Sequence, residues 1–350
     1  DSAGSAGATN AEWLQSESEK LATNPNCVDP LALTAIARNS INWFQSRDRF
    51  QRAVDTFPIS EHKAYPKCYA TVSLAQYFLD QPDRVQSLDR AALQLLRRCF
   101  ADGSFTPADQ QEIADIFVNG WGYQFFKRNA PAVCEMAHQA GPKYEWLALV
   151  LDGENEISEA WAARGGGYAN SVTDAGWRGF REHLAAARKA LTQAWNLHPD
   201  YPLAPCRMIY VSLGDSDITE MRLWFDRTTV AQIDYPRAWR DFRWGLRPRW
   251  YGNEAAMLAL GKAALNTGRF DSDAPLEYLN CVYDVESEMQ LPPGSHIFGR
   301  SDIWPNLKHL YEGYIAGPLP QFRNGWRNSY AIISFFADHY DVTRAQLEAL

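Results

Sequence analysis

Arginine alternates with aromatic side chains over residues 237–251, a stretch with five arginines and five aromatic residues in an acidic chain. Arginine and tryptophan are enriched at protein-interaction hot spots, and interleaved arginine and aromatic side chains can stack on single-stranded nucleic acid. A helix with one aromatic face in the core, covered by arginines through cation–π contacts, has the same pattern. We favour this structural interpretation, with protein binding second. The candidate binding residues here are Arg237, Arg240, Arg243, Trp244, Arg247, Arg249 and Trp250.

A second candidate site is the glycine-rich segment Arg164, Gly165, Gly166, Gly167 and Tyr168. Three consecutive glycines permit a tight turn whose backbone N–H groups point into one concave nest. With Arg164 beside it, such a nest could bind an anion or a carboxylate terminus. The structural alternative, which we favour, is a helix terminator followed by a turn that lets two helices pack closely.

Standard catalytic signatures are absent from the sequence. There is no HExxH, GxSxG or Walker-type motif, and Asn170 stands where a dinucleotide-binding loop needs its last glycine. No two of the seven histidines lie three or four residues apart, and no two of the six cysteines form a CxxC pair. We therefore predict no catalytic residue, no metal site and no cofactor, and we expect the cysteines to be buried free thiols.

The composition limits the partners of the chain. A formal charge of −8 and a pI of about 5.4 leave no basic footprint for duplex DNA, so no nucleic acid is expected. The apolar run at 330–336 is much shorter than the roughly 20 residues of a spanning helix, so we expect no direct membrane insertion in this segment. The sequence does not distinguish between a cytoplasmic and a periplasmic location. The small residues at the start predict a flexible linker and indicate a piece of a longer protein.

Helical periodicity dominates the rest of the chain, with apolar residues three and four apart and few strand signals. Asp-Tyr-Pro-Leu-Ala at 200–204 returns as Asp-Tyr-Pro-Arg-Ala at 234–238, an offset of 34 residues, which is the tetratricopeptide period. We predict an all-α fold of antiparallel helix-pair repeats, a tetratricopeptide-like α-solenoid. The predicted domains are a linker at 1–10, an N-terminal helical region at 11–140, the repeats at 141–285, and a loop-rich segment with closing helices at 286–350.

Capping residues predict several helix boundaries. Thr106, followed by Pro107 and Asp109, predicts the start of a helix that extends to about residue 127, and Pro131 is expected to begin another. Within the repeats, Asp217 is predicted to cap a second helix after Gly214 ends the first in a left-handed conformation.

Several segments resemble a bacterial domain family of unknown function that has a tetratricopeptide-like fold. They are Trp-Ala-Ala-Arg-Gly-Gly-Gly-Tyr-Ala at 161–169, His-Pro-Asp-Tyr-Pro at 198–202, Pro-Arg-Trp-Tyr-Gly at 248–252 and Thr-Gly-Arg-Phe-Asp at 267–271. The resemblance covers about residues 141–275. The resemblance implies a helical-repeat fold, and no activity can be inferred from it.

Three functional hypotheses follow from these observations. The first is a non-catalytic scaffold or interaction domain of a bacterial protein, because stacked helix pairs present a surface to another protein or peptide. The alternative is an α/α-toroid enzyme that acts on a polysaccharide, with aromatic side chains stacked on sugars and two carboxylates as catalysts. The third is a purely structural domain of a larger protein. A closed toroid gives no reason for a 34-residue period, so we favour the scaffold.

Overall fold

The chain is all-α, as predicted, in a computed structural model that describes residues 20–21, 24, 27–40 and 42–350. Within these residues there is no strand, and short 3-10 turns begin or end several of the helices. Most consecutive helices pack against one another along the chain, as in a helical-repeat solenoid. The predicted linker at 1–10 lies outside the described residues.

Contacts divide the chain into two compact units, with the division between Arg207 and Met208. The boundaries at 140/141 and 285/286 come from sequence character and stay predictions. The helices of the first unit are α1 (Pro30–Asn39), α2 (Trp43–Thr56), α3 (Ala64–Ala75), α4 (Pro82–Ala101), α5 (Gln110–Val118), α6 (Tyr123–Gln139), α7 (Glu145–Arg164) and α8 (Asp174–Leu197).

Helix α9 (Leu203–Gly214) contains the division, and the second unit continues from it. The helices that follow are α10 (Ile218–Ala231), α11 (Pro236–Gly245), α12 (Glu254–Leu265), α13 (Glu277–Glu288), α14 (Trp304–Ala316), α15 (Arg323–Phe336) and α16 (Tyr340–Glu348). No helix among the described residues has the length and apolar character needed to cross a membrane.

The predicted caps form, but one predicted helix is divided. Thr106 donates its backbone N–H to Asp109 at 3.0 Å and completes a capping box. The helix expected to reach about residue 127 instead ends with α5, and the turn before α6 contains Gly122. A Cβ there would lie 2.9 Å from Ile116 Cγ2, so glycine permits the close approach. The non-helical Asn129 marks a kink at which two helical segments of α6 meet, and Pro131 lies at the start of the second segment, as predicted.

Helices α7 and α8 of the first unit pack closely. A Cβ on Gly153 of α7 would lie 2.5 Å from Leu191 Cγ of α8, so the missing side chain makes room for the leucine. Beside it, Glu154 and Arg207 form an ion pair at 2.5 Å in which both side chains are buried. A charged pair at such depth is stable only when both partners are present.

The repeated Asp-Tyr-Pro segments begin equivalent helices. The first lies directly before α9, and the second places Pro236 at the first position of α11. Asp217 caps α10 by accepting the backbone N–H of Glu220 at 2.8 Å, as predicted. Gly214 ends α9, but the prediction that it is left-handed is wrong: it stays helical, and the left-handed residue of the turn is Ser216 with φ 63°.

The second helices of the two pairs follow turns of unequal length. The turn after α9 covers residues 215–217, whereas the turn after α11 covers residues 246–253. Pro248 lies within the longer turn and cannot donate a backbone hydrogen bond to it. The 34-residue spacing therefore holds for the Asp-Tyr-Pro segments, whereas the second helices begin 36 residues apart, at Ile218 and Glu254.

The C-terminal segment contains more regular helix than the sequence predicted. A long loop occurs at 289–303, as expected from its prolines and glycines. The region after it forms α14 and α15, in which Pro305 sits in the first turn of α14, where its missing N–H has no helical acceptor. Stacked rings join the two helices, with Tyr314 and Trp326 centroids 4.2 Å apart.

Candidate functional site

The arginines of the 237–251 segment bind carboxylates of the same chain. Arg243 of α11 contacts Glu277 and places its Nε 2.8 Å from Asp284 Oδ2, and both acids belong to α13. Arg247 continues the series, with contacts to Asp284 at 2.5 Å and to Glu288 at 3.0 Å. We call this set the arginine ladder: Arg243, Arg247, Arg249, Glu277, Asp284 and Glu288.

Burial and charge act together in the arginine ladder. Burial lowers the pKa of Arg243, but the charges of Glu277 and Asp284 outweigh this and raise the pKa above its usual value. Burial also raises the pKa of Glu277, and the ion pair with Arg243 opposes that effect. The guanidinium of Arg243 therefore stays charged, and its Nε and Nη1 donate to carboxylates of its own chain.

The remaining candidates of the segment divide into buried and exposed residues. Arg237 is largely buried and its Nε lies 3.3 Å from Asp241 Oδ2. The side chain of Arg240 is 62% exposed, although its Nε also reaches Asp241, at 3.2 Å. Trp250 is half-buried, in the turn after α11.

Trp244 marks the exposed edge of the ladder. Two guanidinium groups contact its ring, those of Arg247 and Arg249, each 4.7 Å from the ring centroid. Arg249 is half-exposed and also contacts Glu288 at 2.8 Å. The aromatic ring and the arginines thus cover each other, which is the structural alternative considered for this segment.

The glycine-rich turn directs carbonyl groups, rather than amides, at its arginine. Arg164 Nη1 donates to the carbonyl oxygens of Gly165 at 3.2 Å and Gly167 at 3.0 Å. The same guanidinium lies 5.5 Å from the ring centroid of Trp161 and 5.6 Å from that of Trp177. Arg164 is therefore engaged by the turn that it precedes.

The glycines of this turn serve different steric needs. Gly165 ends α7 with φ 77°, which favours glycine. A Cβ on Gly167 would meet Ser171 Oγ at 2.3 Å, while Gly166 has open space around it. Tyr168 is 88% exposed at the tip of the turn. The geometry is that of a turn between two closely packed helices, α7 and α8.

An apolar groove lies between α10, α11 and α12, and its volume is about 430 Å³. Its floor is aromatic: Phe225 stacks on Phe242 with centroids 4.6 Å apart, and Trp239 meets Phe225 edge-on at 4.8 Å. Trp239 is fixed by donating its Nε1–H to the carbonyl oxygen of Ile233 at 2.6 Å. We call this feature the repeat groove.

Small side chains form the α12 wall of the repeat groove. Ala256, Ala259 and Ala263 line it, and the last two are exposed. Residues three, four and seven positions apart share one helix face, so these alanines form a continuous strip. Because an alanine wall projects little, another backbone can approach α12 closely along this strip.

The rim of the repeat groove carries charges that neutralise each other. Arg222 Nε lies 2.7 Å from Asp226 Oδ1, one helical turn along α10, and both side chains are about half exposed. Thr229 donates its hydroxyl hydrogen to carbonyl oxygens of α10. The groove therefore has no excess charge at its mouth and an aromatic floor beneath it.

The sequence indicated the apolar residues of the repeat groove only as helix faces. Phe225 and Phe242 have the spacing of core residues, and nothing local shows that the space beside them is open. The described residues contain no group of three histidine, cysteine or acidic side chains placed to hold a metal ion.

The chain thus belongs to the structural class of all-α helical-repeat folds. Comparison with family models, curated proteins and solved structures finds no significant match. The geometry of its own grooves and charged clusters is therefore the basis for the functional proposal.

Proposed function

We propose that this chain is a non-catalytic interaction domain of a bacterial protein, and that the repeat groove binds an apolar segment of a partner protein. The observation that supports this most directly is an aromatic floor beside an exposed alanine strip, in a volume of about 430 Å³. Grooves between helices are a common place for peptide recognition, because an apolar face of the peptide can fill them.

The groove favours an uncharged apolar segment as its occupant. Arg222 and Asp226 already pair at the rim, so a charged peptide group would have to displace an existing contact. Phe225 and Phe242 are already buried within the chain, so a partner side chain would bury mainly the exposed alanine strip of α12 and rest on the edge of the aromatic floor. The proposed partner therefore presents one or more apolar anchors without compensating charge.

The arginine ladder contributes to the proposed binding of a partner less directly than the repeat groove does. Arg243 and Arg247 are buried in ion pairs with α13, so they stabilise the fold that shapes the groove rather than contact a partner. The exposed Arg240 and Trp244 lie on α11 as well, and they form a second, smaller surface for the same partner. We also infer a relationship to the tetratricopeptide-like bacterial family named above, supported by the helix pairs that begin at Asp-Tyr-Pro.

A site-specific photocrosslink tests the proposal. A photoreactive amino acid at Ala259, which lines the groove, is expected to capture a partner in the cells that produce the chain. The matched control is Ala255, which is exposed on the same helix and does not line the groove. Mass spectrometry of the crosslinked peptide then identifies the bound segment.

The segment identified in this way provides the quantitative test. A synthetic peptide of that sequence should bind the purified chain, and Ala259→Glu should weaken binding by about tenfold or more, since it places a charge on the apolar wall. Ala255→Glu should leave the affinity unchanged. Equal crosslinking at Ala255 and Ala259, or a peptide without apolar anchors, would contradict the proposal.

A further inference from the structure

A cleft of about 540 Å³ lies in the first unit, among α1, α2, α3 and the turn between α5 and α6. Two ring pairs form much of its lining. Trp43 and Tyr77 have centroids 4.3 Å apart, and Tyr69 meets Trp121 edge-on at 4.8 Å. We call this feature the aromatic cleft, and its aromatic residues are Trp43, Phe50, Tyr69, Tyr77, Trp121 and Tyr123.

The rings of the aromatic cleft are held in place by their surroundings. Tyr77 shares a hydrogen bond of 2.7 Å with Ser46 Oγ, which also donates to the carbonyl oxygen of Ala37 at 2.6 Å. Trp43 packs on Tyr77, and yet the residue remains 55% exposed. One indole is therefore fixed by an aromatic neighbour and still presents much of its surface to the solvent.

Uncharged hydrogen-bonding groups occupy the spaces between the rings. Ser73 lies on α3, Gln76 directly follows it, and Gln124 lies in the first turn of α6. Asn119, in the turn between α5 and α6, also lines the cleft, and its Nδ2 already donates to Asp115 Oδ1 at 2.7 Å. Hydroxyl and carboxamide side chains each offer both a donor and an acceptor. The cleft thus combines aromatic surface with groups that can match a ligand rich in hydroxyls.

The charge of the lining is nearly neutral. Among the described residues that line the cleft, Arg38 is the charged one, and none is aspartate or glutamate. Hydrolysis of a glycosidic bond generally needs two carboxylates about 5–10 Å apart, one of them a general acid. This cleft has aromatic surface for a sugar but lacks the carboxylates for that chemistry.

From these features we propose that the aromatic cleft binds a neutral oligosaccharide without cleaving it. Sugar rings present C–H faces that pack on aromatic rings, and their hydroxyls both donate and accept hydrogen bonds. A proline-rich peptide also packs on aromatic rings, but its proline residues have no N–H and present carbonyl acceptors. The donor and acceptor character of Ser73, Gln76 and Gln124 therefore matches the sugar better. This site is independent of the repeat groove.

Isothermal titration calorimetry of the intact chain tests the proposal with uncharged hexasaccharides: cellohexaose, laminarihexaose, maltohexaose and N-acetylchitohexaose. At least one should bind with a Kd below about 1 mM. Trp43→Ala should weaken that binding by about tenfold, because it removes the exposed stacking surface. Phe44→Ala is the matched control: Phe44 is the next residue of α2 and is 67% exposed, but it does not line the cleft.

Nuclear magnetic resonance of the indole N–H groups locates the ligand without a substitution. The signals of Trp43 and Trp121 should shift with the bound hexasaccharide, while that of Trp244 in the other unit should not. Chromatography after prolonged incubation should show the hexasaccharide intact.

Four results would overturn the proposal. They are no binding of any of the four sugars, equal affinity in Trp43→Ala and the wild type, release of shorter sugars, and binding of a decaproline peptide in place of the sugars. Circular dichroism of both variants checks that the helices are retained.

Discussion

The 237–251 segment, which supplies the arginines of the arginine ladder, and the aromatic cleft are both rich in aromatic side chains, and these side chains have different surroundings. In the ladder, Trp244 is covered by two arginines, which are themselves bound to carboxylates of α13. In the cleft, Trp43 packs on one ring and leaves more than half of its surface exposed. The arginine- and tryptophan-rich segment at 237–251 thus holds helices together, whereas the open cleft is formed by residues that are distant from one another in the sequence.

The largest effect that would test this comparison is expected at the ladder. Arg243→Ala should lower the free energy of unfolding by about 3–5 kcal/mol, because it leaves Glu277 buried without its ion-pair partner, while Asp284 keeps its contact with Arg247. Urea denaturation followed by circular dichroism measures the change.

Arg240→Ala is the control for that variant. Its side chain is 62% exposed, so the expected loss of stability is within about 0.5 kcal/mol. Similar losses of stability in the two variants would show that the burial of an arginine in this segment does not determine its contribution to stability. A small loss in Arg243→Ala would return that residue to the candidates for a binding surface.

A smaller effect on stability is expected in the aromatic cleft. Trp43→Ala should lower the free energy of unfolding by about 1 kcal/mol, since the residue is 55% exposed and its main ring contact is with Tyr77. The measurement is the same denaturation curve, with Phe44→Ala beside it. A loss as large as that of Arg243→Ala would mean that the rings of the cleft stabilise the fold as strongly as the arginine ladder does.

The pH dependence of stability gives a third test, because a carboxylate binds the first residue of α3, a helix that carries several residues of the cleft. Asp102 accepts the backbone N–H of Ala64, the first residue of α3, at 2.7 Å. Burial raises the pKa of Asp102, but hydrogen bonds from Ser104 and Ala64 outweigh this, so the pKa lies below its usual value.

A lowered pKa in the folded state gives stability that is present above the unfolded pKa of about 4 and is lost as the pH falls through the folded value. Asp102→Asn should therefore be less stable than the wild type at pH 7, and the difference should shrink towards pH 2.5. Parallel denaturation curves across this range measure it. A difference that is constant with pH would exclude the carboxylate as the cause.

The smallest expected effect concerns the buried cysteines, whose thiols should not react with an alkylating reagent while the protein is folded. Cys134 and Cys281 are buried, and burial raises the pKa of both thiols. Hydrogen bonding with Cys68, together with burial, raises the pKa of Cys99. Iodoacetamide at pH 8 should therefore label Cys27 and leave these thiols unmodified until the protein is denatured. Mass spectrometry of the peptides measures the labelling, and rapid native labelling of Cys281 would indicate that the helices around the ladder open.

Local signals predicted much of the helical framework. The boxes and caps at Thr106 and Asp217 involve atoms three residues apart, so their residue types alone predict the contact. The division between α5 and α6 was missed because Gly122 and Ile116 meet only once the turn is formed.

The sites depend on contacts that are distant in sequence. Arg243 finds its acids in α13, more than thirty residues away, and no local pattern links them. The residues of the aromatic cleft come from three separate segments between Ala37 and Gln124, each of which resembles an ordinary helix or turn. Arginine density was therefore visible in the sequence, while its partners and the open cleft required the packed structure.

The ladder also bears on how the second unit opens. In a simple array of repeats each helix pair interacts with its neighbours, and separate pairs can unfold one after another. The contacts of Arg243 and Arg247 strengthen one such junction, because they join α11 and the turn after it to α13, on which α12 also packs. These three helices should therefore exchange their amide hydrogens as a single cooperative unit, and local opening confined to α11 should be rare.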